Sequence, residues 1–334
     1  MKMIVILISL IFIGCEDSYN SKGNPNLLFV ASEGTYGDSN GSISVYAEEE
    51  KIQTVESLGD VVQSILIDDD KLFVIVNNSH LIKRYTITES GLNLPGIEIS
   101  TNNSSPREMV IVNNKLYFTN WNSSDIKVLD LVTFSIISSI PLDGIPEDIV
   151  SKDEDLYVSI SQLELYDTNN GSTVVQININ TEEITNTYEV GRGPEKMLID
   201  NDNLWISRTF YSSDWASASY GSSLINLGTD EISIIDYGMG MICGGNILKF
   251  NNQIYRTVNG GVAPLETDLN LDIASKMGSY QNLYSASSSN GNLLLGTSDY
   301  VAPDTVYIHD QLGDLIRELP VGVLPRDFAF WTNN

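Results

Sequence analysis

The sequence of 334 residues predicts an all-β protein, namely a β-propeller with seven four-stranded blades and a ring that is closed by strands from both termini. The first observation behind this prediction is a motif that recurs about every 44 residues along most of the chain. The second is a period-two alternation of apolar and polar residues between its copies, as in residues 42–46 and 125–130. No long segment has the 3.6-residue period of a helix, and only residues 265–276 are expected to hold a helical turn or two.

The repeated motif begins with a short segment, often Pro followed by a charged residue, and reaches a leucine or isoleucine ten residues later. Its copies run from Val62 to Leu72, Pro106 to Leu116, Pro146 to Leu156, Pro194 to Leu204, Gly244 to Ile254 and Tyr284 to Leu294. Pro325 starts a seventh copy, and residues 26–32 have the character of its second strand. The last blade is therefore expected to combine a C-terminal strand with N-terminal strands, which removes open sheet edges.

The first 25 residues predict targeting and anchoring. Residues 3–13 form an apolar run that is too short for the roughly 20 helical residues that cross a bilayer. The residues Phe12-Ile13-Gly14-Cys15 resemble a bacterial lipobox, in which the cysteine is acylated. The predicted organisation is a signal peptide over residues 1–14, a lipidated Cys15 with a tether over residues 15–25, and a propeller over residues 26–334. The alternative is an ordinary secretory signal followed by an incidental cysteine.

Lipidation at Cys15 also sets the expected location. Acyl chains would hold the protein to a membrane without a spanning segment. Glu16 and Asp17 resemble the surface-export signal of some Gram-negative lipoproteins, so we expect a lipid anchor in the outer membrane and exposure at the cell surface, with the periplasmic face as the alternative. Cys243 would then have no disulfide partner and is expected to be a small buried apolar group.

The charge and the histidine count exclude several classes of function. The formal net charge of -26 repels phosphate backbones, so no nucleic-acid partner is expected. His80 and His309 are the only histidines, which are too few for a multi-histidine metal site, and a Ser-His-Asp triad would need one of them. The sequence pattern places no nucleophile beside a base. We therefore predict no catalytic residues, no metal site, no cofactor and no enzymatic activity.

The loops between the second and third strands of the blades are expected on the same face as the starts of the inner strands. These loops carry Tyr36, Trp121, Tyr166, Phe210, Tyr211, Trp215, Tyr220 and Tyr300, and the predicted loop over residues 208–221 holds four of them. Turn chemistry favours small polar residues in such loops, so eight aromatic residues indicate a contact surface for a ligand or a partner.

Charged residues begin several inner strands on the same face, namely Arg107, Glu147, Glu195 and Arg326. The candidate ligand-binding residues are Tyr36, Arg107, Trp121, Glu195, Arg208, Phe210, Tyr211, Trp215, Tyr220, Tyr300 and Arg326. The alternative is that the loops bury their own aromatic residues and that the charged residues pair between adjacent blades to fix their register.

Three second strands resemble the Tyr-Val-Thr-Asn signature of the surface-layer-type (YVTN) β-propellers. They are Leu116-Tyr117-Phe118-Thr119-Asn120, Leu156-Tyr157-Val158-Ser159 and Leu204-Trp205-Ile206-Ser207. Val76-Asn77-Asn78-Ser79, and Ser105-Pro106-Arg107 with Thr119-Asn120-Trp121, resemble more specifically a lipoprotein subfamily of these propellers. The resemblance spans about residues 26 to 331. Some members of the subfamily capture corrinoids at the cell surface and pass them to a TonB-dependent outer-membrane transporter.

Three functions follow as hypotheses. The resemblance implies capture of a bulky, corrinoid-like small molecule and its delivery to a TonB-dependent transporter. The aromatic face and the acidic surface also fit a protein-interaction or adhesion propeller. A lactonase-like or quinone-dependent enzyme is the minor alternative, and fold analogy is its only support.

Overall fold

The computed structural model describes residues 26–240, 245–289 and 291–332. These residues form seven antiparallel sheets, and the inner strand of each sheet contacts the inner strands of the two neighbouring sheets in a closed ring. The predicted all-β, seven-bladed propeller is confirmed. Cys15, the predicted signal peptide and tether, and Cys243 lie outside the described residues.

The strands of each blade follow one another from the channel outwards. Blade 1 consists of β27 (Pro325–Trp331), β1 (Leu27–Ser32), β2 (Ser42–Ala47) and β3 (Glu50–Val55). Blade 2 consists of β4 (Val62–Asp68), β5 (Lys71–Val76), β6 (Leu81–Thr88) and β7 (Gly91–Ser100). Blade 3 consists of β8 (Pro106–Val112), β9 (Lys115–Asn120), β10 (Asp125–Asp130) and β11 (Ser135–Pro141). Blade 4 consists of β12 (Ile145–Lys152), β13 (Asp155–Gln162), β14 (Thr173–Asn178) and β15 (Glu183–Glu189).

The remaining three blades have the same order. Blade 5 consists of β16 (Pro194–Asp200), β17 (Asn203–Tyr211), β18 (Ala218–Asn226) and β19 (Glu231–Met239). Blade 6 consists of β20 (Ile247–Phe250), β21 (Gln253–Val258) and β22 (Gly261–Pro264). Blade 7 consists of β23 (Leu283–Ser289), β24 (Asn292–Thr297), β25 (Thr305–His309) and β26 (Leu315–Pro320).

Blade 1 closes the ring as the sequence predicts. Its inner strand β27 comes from the C-terminal end, and it pairs antiparallel with β1, with Phe29 opposite Ala329. Blade 6 has three strands among the described residues, and the place of a fourth is taken by a segment held through bridges from Val262 to Met277 and from Leu265 to Leu271. That segment contains a 3₁₀ helix, Ile273–Ser275, in the region where a helical turn was expected. Within the described ranges no helix has the length and apolar character needed to cross a membrane.

Each of the seven blade interfaces has its own apolar core. Alternate residues of one strand face opposite neighbours, so Leu72 packs towards blade 1 whereas Phe73 packs towards blade 3. Trp205 and Trp331 are buried in such interfaces, as the sequence predicts for strand tryptophans. The alternation of apolar residues therefore positions the blades, and through them the residues that line the channel.

The repeat alignment is one residue out of register in blade 7. The first residue of the motif pairs with the residue four beyond the anchor in the other blades, for example Pro106 with Asn120. In blade 7 Leu283 pairs with Thr297, so the copy runs from Leu283 to Leu293 and not from Tyr284 to Leu294. The run of leucines at 293–295 has no alternation to fix its phase, which explains the error. The correction makes Tyr284 the second residue of the motif.

The predicted loop over residues 208–221 is mostly strand. Strands β17 and β18 continue pairing as far as Tyr211 and Ala218, which leaves only residues 212–217 as the connection. Polar and aromatic residues in a long hairpin pair as well as apolar ones do when both strands stay in register. This difference decides which predicted site residues reach the channel.

Candidate ligand-binding site

The site lies where the central channel opens on the face that carries the loops between second and third strands. In six of the seven blades the inner strand enters this opening through a β-bulge, as at Pro106 to Met109 and Pro194 to Met197. A bulge leaves one extra residue unpaired and re-aims its side chain. The second motif residues of the seven blades form what we call the channel ring, which consists of Gln63, Arg107, Glu147, Glu195, Gly245, Tyr284 and Arg326.

An ion pair joins two neighbours in the channel ring. The Arg107 guanidinium donates to Glu147 through Nε at 3.2 Å and Nη2 at 2.5 Å, and its Nη1 donates to Gln63 at 2.8 Å. Both members of the pair are largely buried. Burial alone would raise the pKa of the Glu147 carboxyl, but the charge and hydrogen bonds of Arg107 outweigh it and lower that pKa. Glu147 is thus held as a carboxylate.

Trp121 is fixed against this ion pair. Its indole Nε1 donates to Glu147 Oε2 at 3.0 Å, and the Arg107 guanidinium lies 4.2 Å from the ring centroid. Tyr166 meets the outer side of Trp121 edge to face, at a centroid distance of 6.5 Å. A charged pair of ring residues therefore orients two aromatic side chains at the opening.

A second cluster occupies the opposite side of the opening. Arg326 Nε lies 3.5 Å from Glu33 Oε1, and the Tyr284 hydroxyl donates to the same oxygen at 2.8 Å. Burial, followed by the neighbouring carboxylate of Glu33, raises the pKa of the Tyr284 hydroxyl, which therefore stays protonated. Tyr300 packs edge to face on Tyr284 at 5.8 Å.

Below the ring the channel remains polar. Lys196 of blade 5 pairs with Glu108 of blade 3 across the intervening blade 4. Asp148 accepts the backbone N–H groups of Met197 at 2.7 Å and Ile149 at 3.0 Å, and burial raises the pKa of its carboxyl to about 7. These contacts tie inner strands together and enclose a channel cavity of about 230 Å³.

Two larger cavities open above it. The mouth cavity, of about 350 Å³, lies between Trp121 and Trp215, and the side cavity, of about 340 Å³, lies beside Tyr36. Both are lined by Arg107, Trp121, Tyr166 and Arg326, so they adjoin. Arg326 also lines the channel cavity below. The three spaces therefore meet at one ring residue, and each upper cavity has the size of a small-molecule site.

The structure brings seven of the eleven predicted binding residues to these cavities. Six line the mouth cavity, namely Arg107, Trp121, Glu195, Tyr211, Trp215 and Arg326. Tyr36 lines the side cavity and is 75% exposed. Tyr300 lines neither cavity, but it packs on Tyr284 at the edge of the side cavity.

Arg208, Phe210 and Tyr220 lie away from the opening. Along β17 the side chains alternate, so Thr209 and Tyr211 face the mouth cavity whereas Arg208 and Phe210 face the other side. Arg208 is 1% exposed and pairs with Asp236 on the outer strand β19. Phe210 lies near the guanidinium groups of Arg192 and Arg208. The strand register that the loop prediction missed accounts for the placement of Arg208 and Phe210.

Tyr220 belongs to the packing behind the mouth. Its ring lies 5.2 Å from that of Tyr237, and the Arg256 guanidinium lies 5.3 Å from the Tyr220 ring centroid. Arg256 is fully buried and donates to Ser222 Oγ and to backbone carbonyls.

Several residues that line the cavities were not among the eleven candidate ligand-binding residues. These are Glu33, Gln63, Glu147, Tyr166, Lys196, Thr209, Gly245 and Tyr284. The repeat itself carried a signal for four of them, since Gln63, Glu147, Gly245 and the corrected Tyr284 all occupy the second motif position. Tyr166 was one of the loop aromatic residues expected on this face, although it was not among the eleven candidates. Glu33 and Thr209 had no such signal, because only the fold brings them to the opening.

A larger groove of about 840 Å³ lies on the opposite face. It is lined by apolar residues such as Leu28 and Phe330 and by the acidic residues Glu48, Glu49 and Glu50 at the turn between β2 and β3. Glu49 is 81% exposed, so water screens its charge strongly. The groove contains no residue of the channel ring, and the converging, partly desolvated charges are at the mouth.

Comparison with known proteins supports the propeller fold and identifies no family for the chain. No family model and no curated protein matches the chain. It is similar to the solved structure of a putative 6-phosphogluconolactonase from Bacteroides fragilis, with a TM-score of 0.62, 14% identity, and coverage of 93% of this chain and 99% of that one. It is also similar to hydrazine synthase from Kuenenia stuttgartiensis, with a TM-score of 0.61, 15% identity, and coverage of 80% of this chain and 88% of that one. Apo AztD from Citrobacter koseri is similar with a TM-score of 0.59, 9% identity, and coverage of 92% of this chain and 98% of that one. At these identities the likeness shows the fold alone.

Proposed function

We propose that this protein is a lipid-anchored outer-membrane protein, exposed at the cell surface, that captures a bulky small molecule and delivers it to a TonB-dependent transporter. The observation that carries the capture step is the meeting of three polar and aromatic cavities at Arg326. Aromatic side chains stand around this opening with much of their surface in solvent, including Tyr166 at 75% and Trp215 at 52% exposure. Such side chains supply large contact areas at low entropic cost when a ligand covers them.

A corrinoid is the ligand we propose, on the ground of the sequence resemblance to corrinoid-capturing lipoproteins. A bulky ligand such as a corrinoid would cover both the mouth cavity and the side cavity, with Tyr36 on one side and Trp215 on the other. The paired charges of the channel ring would then meet the polar periphery of the ligand.

The capture proposal predicts that cobalamin or cobinamide binds the purified protein and that a Tyr166→Ala/Trp215→Ala variant binds at least about tenfold more weakly, because both rings lose their contact area. Isothermal titration calorimetry measures this. Leu312→Ala is the matched control, since Leu312 is 84% exposed on the opposite face. Unchanged affinity in the double variant would place the site elsewhere, and no binding of either compound to the wild type would remove the corrinoid.

The anchoring proposal predicts that Cys15→Ser moves the protein from the membrane fraction to the soluble fraction, because the acyl chains provide the attachment. Fractionation followed by immunoblotting of the expressing cells measures the distribution. Cys243→Ser is the control and should stay with the membrane. If the Cys15 variant also stays there, the protein is held by something other than lipid on this residue.

A protein-interaction propeller is the second candidate. The loop between β13 and β14 exposes Leu163 by 59% and Leu165 by 38% beside Tyr166. Exposed apolar groups beside an aromatic residue favour contact with another protein. The titration separates the two functions, because a propeller that only docks proteins has no corrinoid affinity to lose.

We propose binding without catalysis. Both histidines already serve the fold, since His80 Nδ1 accepts the Ser105 N–H at 3.1 Å and His309 lies between the Tyr280 hydroxyl at 2.7 Å and the Gly313 carbonyl at 2.8 Å. These contacts support structural roles for the two residues most suited to proton transfer near neutral pH.

A further inference from the structure

The channel ring has a gap in blade 6. Six blades place a side chain at the second motif position, whereas blade 6 has Gly245 there. A Cβ atom at Gly245 would lie 3.2 Å from Glu195 Oε2 and 3.3 Å from Thr209 Oγ1, which is closer than most such contacts. The backbone at this position does not need the left-handed conformation that would demand glycine. Because Gly245 also lines the mouth cavity, the missing side chain leaves cavity space beside these two oxygen atoms.

Glu195 is the one ring carboxylate without an ion-pair partner among the described residues. Of the cations lining the mouth cavity, Arg107 pairs with Glu147, Lys196 with Glu108 and Arg326 with Glu33. The remaining acid of the cavity, Asp167, accepts backbone N–H groups such as that of Leu163 at 2.9 Å. Glu195 is thus the acid that lines this cavity without a cation or backbone N–H partner among the described residues.

Burial, more than the neighbouring charges, disfavours the anionic form of the Glu195 carboxyl. Burial, followed by repulsion from Glu147, raises its pKa to about 7, although the Thr209 hydroxyl, Arg256 and Arg326 act in the opposite direction. Arg256 is near but does not hydrogen-bond to Glu195, because its guanidinium donates to Ser222 Oγ and to the carbonyls of Arg208, Gly221 and Thr257. A cationic or amide donor brought by a ligand would therefore not have to displace a salt-bridge partner of Glu195 among the described residues.

Thr209 borders the same gap. It is 2% exposed and lines the mouth cavity, and although its hydroxyl is near enough to Glu195 to lower the pKa of that carboxyl, its Oγ1 has no partner with hydrogen-bond geometry among the described residues. Buried polar atoms without partners are rare in folded proteins, and in a binding site the ligand commonly supplies the partner. Both Thr209 Oγ1 and Glu195 Oε2 border the gap at Gly245.

We infer that the gap at Gly245 receives a nitrogen-bound hydrogen-bond donor of the ligand, either a protonated amine or a primary amide, which Glu195 and Thr209 Oγ1 accept. Above the gap, Tyr211 and Trp215 pack at a centroid distance of 5.0 Å and cover the body of the ligand. Aromatic rings beside a carboxylate attract cationic nitrogen through the ring face and the charge together. This inference depends on one part of the proposed function, namely that the mouth cavity binds a small molecule.

The experiment titrates the purified protein by calorimetry with two probes at pH 5.5 and pH 8. Cobinamide presents primary amides, and tryptamine presents a protonated amine on an aromatic ring. The variants are Glu195→Gln, which keeps the shape of the side chain, and Gly245→Ala, which fills the gap. Gly228→Ala is the control, because its Cβ would meet only Asn226 Oδ1, at 3.4 Å. Thermal unfolding of each variant confirms that it is folded.

We expect at least one probe to bind the wild type. Gly245→Ala should lower the affinity for that probe about tenfold or more, whereas Gly228→Ala should leave it unchanged. With an amine, affinity rises about tenfold from pH 5.5 to pH 8 as Glu195 ionises, and Glu195→Gln removes both the affinity and the pH dependence. With an amide, Glu195→Gln keeps most of the affinity, since its carbonyl oxygen still accepts, and the pH dependence is weak.

Two outcomes overturn the inference. One is that neither probe binds the wild type, and the other is that a bound probe has the same affinity in Gly245→Ala and Glu195→Gln as in the wild type. If cobinamide binds both Gly245→Ala and Glu195→Gln as tightly as the wild type but does not bind Tyr166→Ala/Trp215→Ala, the proposed function holds and the donor site at Gly245 is wrong. Tryptamine binding that depends on both variants, with no cobinamide binding, would keep the inference and remove the corrinoid as ligand.

Discussion

Arg107→Met is expected to lower the free energy of unfolding by about 3–5 kcal/mol, because it leaves a buried carboxylate without its ion-pair partner. Glu147 is 8% exposed in its side chain, and Arg107 supplies the charge and two of the hydrogen bonds that keep it ionised. The same substitution also removes the cation that stacks on Trp121. Urea denaturation at pH 7, with the slope checked for two-state behaviour, measures the loss.

A second variant distinguishes an unpaired charge from lost packing. Arg107→Met combined with Glu147→Gln removes the charge as well as its partner, so it should recover at least half of the loss. Lys152→Met is the surface control, because Lys152 pairs with Asp202, which is 72% exposed, and the expected change is within about 1 kcal/mol. If Arg107→Met and Lys152→Met cost the same, the ion pair in the ring does not stabilise the channel.

The fold follows from the sequence because two periods reinforce each other. The spacing of about 44 residues defines the blades, and the alternation within each strand defines which residues face the neighbouring blade. Leu72 and Phe73 illustrate this, since adjacent residues pack into different interfaces. Pairing of β1 with β27 was predictable for the same reason, because residues 26–32 complete a motif that begins at Pro325.

The errors occur where these periods lose information. In the leucine run at 293–295 a shift by one residue leaves the apolar pattern unchanged, so Tyr284 was misplaced by one position and its role in the ring was missed. In blade 5 the length of the hairpin, which no period fixes, decides that Thr209 and not Arg208 faces the mouth cavity. Side-chain pairing across blades, such as Lys196 with Glu108, depends on the finished ring and has no signature in the sequence.

The channel ring explains why charged residues recur at the motif starts. Pairing between blades was the structural alternative to ligand binding, and it holds for part of the ring. Arg107 and Glu147 pair with each other, whereas Glu195 has no cation partner among the described residues. A ring built only for register would be expected to match every charge, because a buried unmatched carboxylate destabilises the folded state.

Glu195→Gln is expected to stabilise the protein by about 3 kcal/mol at pH 8 and to leave it nearly unchanged at pH 4. The folded protein holds the pKa of this carboxyl at about 7, above its ordinary value of 4.5, mainly through burial. Between these values the folded state binds more protons than the unfolded chain does, so the wild type loses stability as the pH rises from 4.5 through 7. Because glutamine does not ionise in this pH range, the stability of the variant does not fall for this reason.

Urea denaturation of both proteins at pH 4, 6 and 8 measures the difference in unfolding free energy, which should grow with pH. Asp148 and Asp327, whose carboxyl pKa values burial also raises, to about 7 and about 6, contribute the same trend to both proteins and cancel in the difference. Glu164→Gln, an exposed substitution in the loop between β13 and β14, should change stability by no more than about 0.5 kcal/mol at any pH. A difference that is constant across the pH range would mean that Glu195 is not destabilised as an anion. A gain that grows with pH, together with weaker ligand binding, would identify Glu195 as a residue kept for binding at the expense of stability.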